Sequence, residues 1–149
     1  MVEIDFADLT NWVGKDLGVS DWVLIDQNRI NQFAEATGDH QWIHVDIERA
    51  KAELGGTIAH GYLTLSLIPM LAQQVLTVKG VVRGINYGSN KVRFTNMVPS
   101  GSRVRLRQKF LSVEPKAGGF QVINECTIEI EGKDRAACVA ETVSILFNR

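Results

Sequence analysis

Apolar positions in the first third of the chain recur with a helical period. Ile30, Phe33, Ala34 and Thr37 fall at i, i+3, i+4 and i+7, which is one stripe of an amphipathic helix. Asp26 stands where an N-cap belongs, and Gly38 stands where such a helix stops. A second short helix is predicted after Asp46, with Ile47, Ala50 and Leu54 on one face and Gly55-Gly56 at its end. Asp39–Val45 then reads as a tight connection whose two ends are both held, which suits a functional loop.

The stretch from Tyr62 to Val75 is apolar nearly all round and predicts a buried helix, with Pro69 implying a kink or a local break. Beyond it the period changes to two. Val81–Tyr87 and Lys91–Thr95 read as strands joined through Gly88-Ser89, and Pro99-Ser100-Gly101 as a turn. From Ser102, Val104, Leu106 and Phe110 alternate with Arg103, Arg105, Arg107 and Lys109, a strand with one solvated face. Phe120–Ile130 and Ala136–Phe147 are two further strands around a hairpin turn at Glu131–Asp134. Before residue 26 the pattern predicts little: a short turn of helix at most, a loop at Val13–Gly18 and a strand over Ser20–Ile25. Helices early, one buried helix and then a meander define an α+β chain, organised as one domain over residues 1–149.

Composition changes this picture only slightly. With 149 residues, 45% of them hydrophobic and 22% charged, the chain can bury a real core. A formal net charge of −1 argues against a nucleic-acid partner. No apolar run reaches the roughly 18 residues that would span a membrane. The acidic first ten residues lack a secretory pattern, and Cys126 and Cys138 have no metal-ligand spacing. A reducing, cytoplasmic setting is expected. Charge is unevenly spread. Residues 1–53 carry 11 acidic and 4 basic side chains, whereas Arg83–Lys109 carries seven basic and no acidic ones. The second stretch is either a surface for an anionic small molecule or an outward strand face that balances the acidic half.

The chemistry concentrates in Thr37-Gly38-Asp39-His40-Gln41-Trp42-Ile43-His44. A carboxylate and an imidazole that share a water can take its proton near neutral pH, which makes Asp39 and His44 a candidate pair. The alternative is that Asp39 caps a turn and His44 is a satisfied, partly buried histidine. His40 and His44 with His60 would suit a metal only if residues 40–44 were helical, and the helix stop at Gly38 with the cap at Asp46 argues against that. No metal is expected. Gly61, at the start of the buried helix, could offer its N–H to an oxygen that gains charge during reaction, or could be a plain turn residue. No nucleophile elbow and no phosphate-binding loop is present.

These residues carry a resemblance. Phe33 to His44, then Ala59-His60-Gly61-Tyr62-Leu63, Asn86-Tyr87-Gly88 and Arg93-Phe94 resemble the MaoC-like (R)-specific enoyl-CoA hydratases, with the nodulation-protein-N-like branch most similar. The resemblance covers nearly the whole chain. It implies a hot-dog fold, a long central helix wrapped by an antiparallel sheet, usually as a homodimer. It further implies hydration of a trans-2-enoyl-CoA to a (3R)-hydroxyacyl-CoA with no cofactor beyond the CoA of the substrate. Asp39 and His44 would activate the water, and the Gly61 N–H would polarise the thioester carbonyl. Gln41, His60, Tyr62, Asn86, Tyr87 and Gly88 would line the substrate, with Lys91 and Arg93 near the CoA phosphates. The family's Asp-x-Asn-Pro-x-His is varied here, because Gln41-Trp42 replaces Asn-Pro while the Asp-to-His spacing is kept. Pro69 stands where some members carry a polar residue. A thioesterase of the same fold and a non-catalytic acyl-CoA binder are the competing expectations.

Overall fold

The computed structural model describes residues 1–149. The chain opens with β1 (Val2–Asp5), a 3-10 helix (Phe6–Trp12), β2 (Asp16–Val19) and β3 (Val23–Ile25). Three helices follow: α1 (Gln27–Thr37), α2 (Trp42–Val45) and α3 (Ile47–Leu54). Then come α4 (Gly61–Ser66), α5 (Ile68–Val75), β4 (Leu76–Lys79), β5 (Arg83–Phe94), β6 (Ser102–Lys116), β7 (Gly119–Ile130) and β8 (Cys138–Phe147). An antiparallel sheet runs in the order β2-β6-β7-β8-β5, with β3 also on β6. β1 and β4 form a separate parallel pair.

The sheet wraps α4 and α5. Leu63, Leu67, Leu71 and Val75 recur every four residues and are buried, and they share one core with Leu106, Phe110, Val122, Cys126, Ile128 and Ala140 of the sheet. The central helix is therefore two segments with the junction at Leu67, rather than one rod. Pro69 occupies the first turn of α5, where its missing N–H breaks no helical bond. Only one face is buried; Tyr62, Ser66, Pro69 and Met70 are exposed.

Two helix ends follow directly from local chemistry. The Asp26 carboxylate accepts from the Arg29 N–H, and Gly38 (φ 82°) closes α1 by donating to the Ala34 carbonyl. Asp46 caps α3 in the same way through the Arg49 N–H. Between them, Trp42–Val45 forms one turn of helix where the sequence suggested only a connection.

Other differences lie in the strands. The N-terminal residues form β1 and seven residues of 3-10 helix, and the expected loop at 13–18 contains the start of β2. The strand expected over Ser20–Ile25 shrinks to Val23–Ile25; Ser20 is instead buried, with its hydroxyl accepting from the Leu106 N–H. The two strands expected around Gly88-Ser89 are one strand, β5, bent by register shifts at Asn86/Gly88 and Ser89/Lys91.

The basic run resolves as well. Arg105 faces Glu129 and Lys109 faces Glu125 across the β6–β7 ladder, and each pair is in contact. Arg107 reaches Asp16 and Glu129, and Arg103 reaches Glu131. For these four residues the outward, charge-balanced face is what the structure contains. Cys126 and Cys138 are buried and free, and burial pushes both thiols up to about 11.

Candidate active site

The residues after α1 converge on the start of α4. Asp39, His44 and His60 each contribute one side-chain atom to a group whose members all lie within 4.8 Å of one another. Asp39 is exposed, whereas His44 and His60 are 7% and 2% exposed. The Asp39 carboxylate also accepts from the Gln41 N–H at 3.3 Å, a short turn that sets the loop's direction.

His44 is held by the Gln27 side chain at its carbonyl and by the Ile58 backbone at its ring. The Gln27 amide donates to its carbonyl at 2.8 Å, and the Thr57 hydroxyl donates to the same Gln27 side chain. The Ile58 N–H donates to the Ile43 carbonyl at 3.1 Å. The His44 Nδ1 lies 2.7 Å from the Ile58 carbonyl oxygen. A carbonyl only accepts, so Nδ1 carries the proton and Nε2 keeps a free lone pair. Burial, opposed by the bond to Ile58 and assisted by the neighbouring His60, holds His44 below its ordinary value. The ring is therefore neutral and basic at Nε2 near neutral pH.

His60 lies beneath it. The two imidazoles stack with centroids 3.8 Å apart and planes 22° apart. The His60 Nε2 is 3.0 Å from the Asp39 carbonyl oxygen, so it donates there and ties the loop to the head of α4. Its Nδ1 is buried without a partner. Asp39, His44 and His60 are the residues with atoms that could approach a metal.

Gly61 is the first residue of α4 and lines, with His44, Thr64, Phe94 and Asn96, a cavity of about 500 Å³. A Cβ at Gly61 would sit 3.0 Å from the Phe94 ring. Arg135 stands at the same cavity; nothing in its hairpin turn marked it in advance. Phe94 was visible only as a neighbour of Arg93.

The other expected residues are distributed more widely. Gln41 is exposed at the N-cap of α2, and Trp42 is clamped by the Arg49 guanidinium 4.0 Å from its ring. Tyr62 is exposed and meets Phe94 edge-on. Asn86, Tyr87, Gly88, Lys91 and Arg93 all lie on β5, and none lines the cavity of His44 and Gly61. Asn86 lines a larger cavity, about 670 Å³, further along the same helices. His40 pairs with Glu35 at 2.7 Å, which raises its pKa and turns it away from the group.

A hot-dog sheet around a central helix, with the Asp39 carboxylate and the His44 imidazole grouped at the head of that helix, is the frame of a hydro-lyase once the family is added. The chain belongs to the MaoC-like dehydratase family: the family model described as "MaoC like domain" matches residues 8–130. It is 54% identical over 139 residues to 3-hydroxyacyl-thioester dehydratase Z of Mycobacterium tuberculosis, covering 92% of both chains. It is 42% identical over 150 residues to nodulation protein N of Rhizobium leguminosarum bv. viciae, covering 98% of this chain and 93% of that one. The fold matches the unliganded R-hydratase PhaJ1 from Pseudomonas aeruginosa with a TM-score of 0.73 at 24% identity, over 92% of this chain and 83% of that one.

Proposed function

We propose that this chain hydrates trans-2-enoyl-CoA thioesters to (3R)-hydroxyacyl-CoA and catalyses the reverse dehydration, as a homodimer in the cytoplasm. The observation that carries the reading is the grouping of the Asp39 carboxylate with an imidazole whose free nitrogen is defined, beside a cavity that also holds Gly61. The name of the thioester dehydratase relative supports the thioester, and the R-hydratase among the structural neighbours supports the (R) hand.

In this reading Asp39 and the His44 Nε2 hold a water, and His44 takes its proton as the oxygen attacks the β-carbon. Electrons of the double bond move to the thioester oxygen, where the Gly61 N–H stabilises the developing charge. A proton returned to the α-carbon completes the addition. No metal and no cofactor beyond the CoA of the substrate takes part, and the machinery belongs to one domain spanning residues 1–149. His60, expected at the substrate, is 2% exposed and lines neither cavity, and in this reading it acts instead by holding Asp39 and His44 in place. Gln41, Tyr62, Asn86, Tyr87 and Gly88 remain the proposed contacts to the rest of the thioester. Of the seven basic residues, Arg103, Arg105, Arg107 and Lys109 are engaged by carboxylates and Arg83 stacks on the Phe147 ring, and Lys91 and Arg93 are the proposed contacts of the CoA phosphates.

The dimer is supported by β5. It is an edge strand whose residues are exposed except Val92, and it shows Ile85, Tyr87 and Phe94 to solvent at 46%, 60% and 47%. An apolar edge of this kind calls for a partner.

Loss of enoyl absorbance with crotonyl-CoA tests the reaction. Asp39→Asn and His44→Ala should each lower the rate by about two orders of magnitude or more. Wild-type rates in both folded variants would overturn the assignment, and release of free CoA thiol would mark a thioesterase instead.

A further inference from the structure

The larger cavity is not a plain alkyl slot. Leu65, Ile68, Ala72 and Val122 give it apolar walls, but Gln108 and Asn124 also line it. Both interrupt strand faces that are otherwise apolar: Gln108 sits between Leu106 and Phe110 on β6, and Asn124 between Val122 and Cys126 on β7. Gln108 and Asn124 are each 6% exposed. The Gln108 Nε2 donates to the Asn124 Oδ1 at 2.8 Å, and the Asn124 Nδ2 donates to the Ser144 hydroxyl at 3.5 Å. The Gln108 Oε1 has no partner. Turning both amides over keeps the bond between them and leaves a donor on the free arm instead of an acceptor. Either way, one arm of a buried amide needs a partner. A hydroxyl, which both donates and accepts, serves both orientations.

The cavity is placed to receive an acyl chain. Gly61 and Thr64 of α4, with Phe94 at one end of β5, line the cavity of His44. Leu65, Ile68 and Ala72, with Gly84, Ile85 and Asn86 at the other end of β5, line the larger one. The two cavities share no lining residue, but their linings follow one another in order along α4 and α5, with Thr64 on one and Leu65 on the next. From Thr64 to Ala72 the helices advance roughly 12 Å at 1.5 Å per residue, a distance that a medium-length chain spans.

We propose that this cavity binds the acyl chain of the substrate and is built for a chain carrying a hydroxyl, which bonds to the free arm of the Gln108 amide. The inference rests on the enoyl-thioester reading above. It predicts an oxygenated acyl substrate in place of a plain one, so the class of reaction that supplies this enzyme is one that leaves or installs a hydroxyl on the distal chain.

The test compares medium-chain trans-2-enoyl-CoA esters, one plain and the others with a hydroxyl at successive carbons toward the far end. In the wild-type protein one hydroxylated ester should exceed the plain ester in kcat/KM by about ten-fold, on the scale of one buried hydrogen bond. In Gln108→Met, which keeps the volume and removes the amide, that ratio should fall to one or below. A ratio within one variant cancels any general loss of rate. The wild-type comparison stands even if the variant does not fold. Calorimetric affinities for the saturated, unreactive counterparts read the same preference without turnover, so failure of hydration altogether would strike the hydratase reading and leave this one decided by binding. Equal or better use of the plain ester at every position would overturn the proposal, since solvent alone would then satisfy the amide. A preference that survives Gln108→Met would overturn it as well.

Discussion

His44 works as a base only while its Nε2 lacks a proton, and its burial favours that state. The acid limb of the kcat/KM profile for enoyl-CoA hydration should therefore lie below the ordinary histidine value of 6.5. The same shift has a sign in stability. The unfolded chain takes up the proton near 6.5, and the native state resists it, so between the two values the unfolded state binds more protons. Stability contributed at His44 is complete above 6.5 and is lost as the pH falls through that window. Urea midpoints measured on either side of 6.5, in wild type and His44→Gln, separate this residue from the exposed carboxylates. Gly61 makes a second prediction at this scale. Its alanine variant must push against the Phe94 ring at 3.0 Å, an overpacking that typically costs about 1–3 kcal/mol. Gly61→Ala should lower both melting temperature and rate, and adding Phe94→Leu should recover melting temperature. A double-mutant cycle with no coupling would show that the ring is not what Gly61 accommodates.

Elements set by neighbouring residues were legible in advance, and elements set by distant ones were not. α1 is written in its own residues: cap at Asp26, stripe through Ile30 and Ala34, stop at Gly38. Gly38→Ala places a side chain at φ 82° and should destabilise by about 1–2 kcal/mol, measured by urea unfolding. Asp26→Ala should cost about 1 kcal/mol. β2 is different. Asp16 pairs with Lys109 and Val19 with Arg107, so four residues become a strand only because β6 is beside them. The pattern predicts two strands in place of β5 because register shifts flank Gly88-Ser89, where a turn would also be written. In the site, the Asp39 and His44 pair could be read from spacing and resemblance. The stack of His60 under His44 could not, because it depends on how the head of α4 docks on the loop.

At the scale of the whole molecule, the exposed edge at β5 fixes an expectation about assembly. Light scattering should give a mass twice that of the 16.5 kDa chain. Ile85→Lys, which puts a charge on that edge, should shift the mass toward one chain while leaving the far-UV spectrum intact. A monomeric wild type, or a variant that remains dimeric, would place the contact elsewhere. The pairing of β1 with β4 has its own consequence, in time rather than in space. β1 pairs in parallel with β4, Val2 with Leu76 through Asp5 with Lys79, and Ile4 is 2% exposed in the core. β1 leaves the ribosome before its partner and therefore waits for both central helices to be made, a delay of about 4–15 s at roughly 5–20 residues per second. Through that interval an apolar strand end is unpaired and open to capture. An N-terminal fusion that folds early would shorten the freedom of β1 at the moment it must find its place, so yield of folded protein should depend more on the N-terminal tag than on the C-terminal one.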